Sequence, residues 1–198
     1  MRLLILRYGY YYTKNGWHDC LFIIINQINY LMGEENSMNS IEIAKVESGR
    51  EYSIGKFLPN EPQYMDREYI FNYIPEDLKG CVHILTCGND KLIPENEPCF
   101  TMKAEHDVDV YILYPDKQPV IPKWLESFER LRMNVTRVDS RSDNLKGYFT
   151  LFKKRFPAGL ITLYGHSPLE MLAKDWYVTS GGINYCMYSV AVKEVDIG

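Results

Sequence analysis

At 198 residues, with 46% apolar and 24% charged side chains, the chain has the size and composition of one globular domain plus a short extension, which excludes disordered and fibrous classes. A net charge of -4 gives no extended positive field, so no nucleic acid is expected as a partner, and no apolar run reaches the roughly 20 residues of a membrane span. Sixteen Tyr beside eight Phe and three Trp favour strands, where a ring can bury one face and keep its hydroxyl wet.

In chain order, Leu3-Leu4-Ile5-Leu6 lies between Arg2 and Arg7, and Leu21 to Ile25 ends at Asn26 and Gln27; both runs are too short for a signal segment or a span. Gly33 to Ser40 is polar and reads as a linker. Residues 1–40 are therefore expected to be an N-terminal extension of uncertain order, with an extra strand or helix docked on the domain as the alternative.

From Ile41 the pattern changes to short alternating runs punctuated by Gly, Pro and Asn, and residues 41–198 are expected to form a β-sandwich domain. Ile41 to Val46 opens it. Tyr69, Phe71 and Tyr73 share one face of the next strand, closed by a turn at Pro75 to Gly80. Cys81 to Cys87 alternates again, with Val82 and Ile84 on one side and His83 on the other. Gly88 to Pro98 reads as a loop; Cys99 to Lys103 and Val108 to Tyr114 read as strands, the latter with Val108, Val110 and Ile112 inward. Trp124, Leu125, Phe128 and Leu131 recur at helical spacing after Pro122, which predicts one short helix. Met133 to Val138, Tyr148 to Lys153 and Leu160 to Tyr164 are further strands, and Gly165 to Gly182 is a long loop. Tyr185 to Val195 is apolar on both alternations, so it belongs in the middle of a sheet. The expected fold is all-β, a β-sandwich or jelly roll of about nine strands with one short helix.

Five Cys without a C-x-x-C pair read as buried thiols, and four His without metal-ligand spacing give no metal site; no cofactor is expected. His83, in an apolar strand, reads as a core residue with its hydrogen bonds satisfied. Asn89, Asp90 and Lys91 follow Gly88 in a loop at a strand end, where binding residues concentrate, although Asn and Asp also fold back onto their own turns. His166 lies in a Gly- and Pro-bordered loop. Asp175, Trp176 and Tyr177 occupy the long loop, where a large aromatic is hard to bury and could stack on a sugar. These seven residues are the candidate carbohydrate contacts. Asp66 beside Arg67 reads as a pair that pins the start of its strand.

Tyr64 to Tyr69, Ile74 to Gly80, Gly88 to Lys91, Val108 to Asp116, Ile121 to Leu125, Phe156 to Gly159 with Leu163 to Gly165, and Cys186 to Val190 together resemble a module at the ends of secreted bacterial glycoside hydrolases, polysaccharide lyases and related proteins. The resemblance covers roughly Ile41 to Val195 and departs from the family at Tyr164-Gly165-His166, where a Gly-Gly-Asn is usual. It implies an uncharacterised, non-catalytic β-sandwich module, extracellular or periplasmic, that binds or is positioned on a polysaccharide or oligosaccharide, with a carbohydrate-active enzyme as a second partner. A small carbohydrate-active hydrolase or lyase, and a structural spacer, are the alternatives.

Overall fold

A computed structural model describes residues 40–139, 142–174, 176 and 186–195, with the backbone alone for 142–145. The expected extension, the start of the last strand at Tyr185, and Cys20, His18, Asp175 and Tyr177 lie outside the described residues.

Ten strands are described: β1 (Ile41–Val46), β2 (Ser53–Lys56), β3 (Tyr69–Tyr73), β4 (Val82–Leu85), β5 (Pro98–Ala104), β6 (Val108–Pro115), β7 (Glu129–Asp139), β8 (Ser142–Phe156), β9 (Gly159–Tyr164) and β10 (Ser189–Glu194). They form two antiparallel sheets, a small one in the order β1-β5-β9 and a large one in the order β2-β4-β10-β6-β8-β7-β3. The fold is all-β and sandwich-like, as the alternation predicts. β10 lies between β4 and β6, with Ser189 to Val192 all buried, so its double-sided apolar pattern does mark an inner strand.

Period-two alternation sends the odd and even residues of the large sheet to different cores. Val82, Ile84, Val190, Val192, Val108, Val110 and Ile112 face the small sheet, where Phe100, Met102, Ile161 and Leu163 meet them. Tyr111, Leu113, Val135, Phe149, Leu151 and Ala191 face the other way, into a second core closed by Phe57, Phe71, Ile74 and Leu78. The chain leaving β2 reaches the opposite edge of the sheet: Asn60 N donates to Phe71 O at 2.8 Å, Phe71 N donates to Glu61 O at 3.1 Å, and Pro62 bridges Ile70. The large sheet is thereby rolled over its second core, and the Phe57 and Phe71 rings meet edge-on at 4.8 Å.

Three expectations are corrected. The stretch after Pro122 is a 3-10 turn, Lys123–Ser127, and Leu131 lies in β7 against the second core; Phe128 is already extended, so the i, i+3, i+4 spacing came from one tight turn followed by a strand. The helix is instead α1, Leu169–Ala173, inside the stretch read as loop, where one buried residue, Met171, is too little apolar signal to show periodicity. β2 was not anticipated, because Ser-Ile-Gly-Lys carries one apolar side chain and Gly55. At Gly55 a Cβ would sit 2.8 Å from Leu85 Cδ1, so a side chain there would make Leu85 shift.

Candidate functional site

Antiparallel pairing brings specific loops to one end of the sheets. β4 and β6 both flank β10 antiparallel, so their C-terminal ends lie together with the start of β10, and the same alternation adds the start of β3. Asp66, the turn at Gly88–Leu92, Asp116 to Ile121 and the lead-in Cys186 to Tyr188 therefore share this end.

Much of the polar chemistry there is spent on structure. The Asp66 carboxylate accepts Gly88 N at 2.6 Å and Asn89 N at 3.1 Å, and Arg67 Nη2 donates to Asn89 Oδ1. Asp66 thus pins the turn after β4, and Arg67 Nη1 lies 3.4 Å from its Oδ2. Asp90 is buried, and its carboxylate accepts Ser48 Oγ at 2.9 Å, Arg50 Nε at 2.9 Å and Tyr52 Oη at 2.7 Å. As a projecting sugar contact Asp90 is corrected: those three donors hold it inward. Asn89 is exposed and Lys91 half-buried, so these two reach the surface, and burial draws the Lys91 ammonium below its usual value.

His166 is corrected likewise. It is fully buried; its Nδ1 accepts Tyr188 N at 3.2 Å, so the ring proton sits on Nε2, and the Gln118 amide 2.9 Å away accepts it with its oxygen, otherwise without a partner, turned to the ring. Burial, with the nearby Lys91 charge, pushes its pKa down to about 3, and both ring nitrogens are occupied, so it is a neutral strut rather than a base. Gly165 beside it has no room for a side chain: a Cβ would lie 2.0 Å from Pro94 O. Buried Glu95 clamps the same region, accepting Lys123 N at 2.5 Å and Leu169 N at 3.0 Å, the first residues of the 3-10 turn and of α1. Trp124 donates from Nε1 to Gly165 O at 2.9 Å and packs edge-on to Phe128 at 5.6 Å, inward as expected. Trp176 is half-buried.

A cleft of about 420 Å³ opens between the end of β6, the following loop and the neighbouring strands, lined by Tyr114, Asp116, Gln118, Arg130, Thr150 and Phe152 among others. Thr150 Oγ1 donates to Asp116 Oδ1 at 2.7 Å, and Tyr114 Oη donates to His166 O at 3.1 Å, so both walls are braced. Asp116 and Arg130 are exposed to the cleft, and Asp116 is its one carboxylate among the described residues.

The cleft continues onto an open strand face. A bulge between Phe71 and Tyr73 turns Tyr73 off the face it was expected to share with Phe71, and register places Tyr73 opposite Thr136, Thr136 opposite Tyr148, and Asn134 opposite Thr150. Leu131 and Met133 turn into the second core, which leaves Arg130, Arg132, Asn134 and Thr136 on the cleft side. Tyr73 and Tyr148 are 55% and 51% exposed, far above what a ring within a strand shows when a second layer covers it. Sequence reasoning missed this surface. Its signal was two tyrosines breaking the buried pattern of their strands, but only the register shows that they share a row. Among the described residues no three His, Cys, Asp or Glu side chains gather as metal ligands, and no described helix is long and apolar enough to cross a membrane.

No family model and no curated protein matches the chain. Among solved structures, a β-glucuronidase from glycoside hydrolase family 2 aligns at a TM-score of 0.57 and 19% identity over 79% of this chain, which amounts to 14% of that enzyme. A GH138 enzyme targeting pectin rhamnogalacturonan II aligns over 79% of this chain and 16% of its own at 9% identity, with a TM-score of 0.44, too low to argue from. The first likeness shows a shared fold, and this chain corresponds to a minor part of that protein.

Proposed function

We propose that the chain is a non-catalytic carbohydrate-associated module that holds a polysaccharide in the cleft between Asp116 and Arg130. The observation that carries this reading is the cleft itself: a largely polar concavity at a strand end, where Asp116, Arg130 and Thr150 converge, opening onto exposed tyrosines. The exposed Asp116 and Arg130 suit hydroxyl groups, and the exposed Tyr148 ring beside them suits the apolar face of a pyranose. Glycoside hydrolysis with two carboxyl groups needs them about 5–9.5 Å apart, and the cleft carries one among the described residues, which favours binding over cleavage. The shared fold with a small part of a glycoside hydrolase fits an accessory module. Asn89, Lys91 and Trp176 are proposed as further contacts of a longer chain.

Affinity electrophoresis against a panel of plant and microbial polysaccharides tests this. At least one glycan should retard the chain, and Asp116→Ala should weaken that retardation about tenfold with an unchanged melting temperature, because Asp116 is exposed. Failure of every glycan to retard the chain would refute the reading.

A further inference from the structure

We infer that the polysaccharide is anionic, a chain bearing hexuronic acids, whose carboxylates meet Arg130 and Arg132 while its sugar rings lie over Tyr148 and Tyr73. This rests on the proposed binding function and names its ligand class. The protein is acidic overall, with a net charge of -4, yet cations gather along the open face beside the cleft. Arg130, Arg132 and Lys146 are exposed; the first two lie on the cleft side of β7, and Lys146 lies two residues before Tyr148, on the Tyr148 side of β8. The cleft sets one carboxylate beside them, Asp116, which Thr150 engages. Further along β8 the cations are already used: Arg155 and Lys153 pair with Asp109, and Lys154 donates to Ser127. Arg130 and Arg132 enter no ion pair or side-chain hydrogen bond among the described residues.

The geometry fits a chain ligand. Tyr73 and Tyr148 are separated by the β7 row, two strand spacings or roughly 10 Å, which matches two pyranose rings of an extended polysaccharide. Thr136 between them is small enough to let such a chain lie flat. A planar guanidinium accepts a carboxylate in two parallel hydrogen bonds, so a uronate is read by shape as well as charge.

The test titrates the full chain with polygalacturonate, alginate and hyaluronate, each beside its carboxyl-reduced counterpart. At least one acidic polymer should bind ten times or more tighter than its reduced form, and the advantage should shrink as salt rises to about 0.15 M. Arg130→Gln with Arg132→Gln should erase the advantage, Arg130→Lys should keep part of it, and Tyr73→Ala with Tyr148→Ala should weaken acidic and reduced forms alike. Equal binding of acidic and reduced polymers would overturn the inference and leave the binding function standing. Binding to none of them or to any neutral glycan would overturn both. A single-stranded oligonucleotide competing as well as the polyuronate would overturn the uronate assignment.

Discussion

His83→Leu should stabilise the protein, and more so in acid. His83 is fully buried between Phe57 and Phe71, with ring centroids 5.8 Å and 5.0 Å away, and neither of its ring nitrogens has a hydrogen-bond partner, contrary to the expectation of a satisfied core histidine. Burial pushes its pKa down from 6.5 to about 3. Below pH 6.5 the unfolded chain takes up a proton that the folded chain refuses, so stability present above that pH is lost as pH falls towards 3. At about 1.4 kcal/mol per pH unit, the loss from pH 7 to pH 5 is about 2 kcal/mol. Leucine removes this term and also the desolvated nitrogens, worth about 1–3 kcal/mol at pH 7, less some cost for the changed shape. Urea unfolding of both proteins at pH 7 and pH 5 reads the difference, and carboxylates and His166 cancel because they are common to both. The pH gap in stability should be about 2 kcal/mol smaller in the variant. An unchanged gap would mean that His83 titrates normally in the folded protein and that the argument fails.

Gly165→Ala should lower the melting temperature by roughly 6–12 °C: the added Cβ cannot fit against Pro94 O, and the shift needed would disturb Gly165 N to Glu97 O, Ser167 N to Ile93 O and Trp124 Nε1 to Gly165 O, about 3 kcal/mol in all; a thermal scan within about 2 °C of the parent would contradict this. Glu95→Ala strands two backbone N–H groups and should cost about 3–5 kcal/mol by urea titration, with faster amide exchange at Lys123 and Leu169 as the local signature. A fragment beginning at Ser40 should melt cooperatively within about 4 °C of the full chain, since every described strand pairing lies beyond that residue; an insoluble fragment would place the domain boundary earlier.

The strands were legible where a side chain's burial follows period two, and β10 was legible to the level of its place in the sheet, because only an inner strand is apolar on both sides. Trp124 to Leu131 misled because a 3-10 turn running into a strand repeats the spacing of a helix over so short a stretch. The site was less legible for a related reason. Asp90 and His166 have the residue types of a binding loop, but whether such a group faces water depends on partners 40 or so residues away, such as Tyr52 and Gln118. The Tyr73–Thr136–Tyr148 row joins residues from three strands and exists only once register is set.

The place of β10 bears on how the molecule is made. It is the latest described strand in sequence, yet it pairs with β4 on one side and β6 on the other. Until Ser189 to Glu194 has been synthesised, those two strands have no partner between them, and both present open hydrogen-bonding edges to other chains. Emerging from the ribosome, the chain must carry this divided sheet for more than seventy residues after β6 ends at Pro115. Closure is then a single late event that joins contacts far apart in sequence, which makes folding slow and leaves the nascent chain dependent on protection from aggregation.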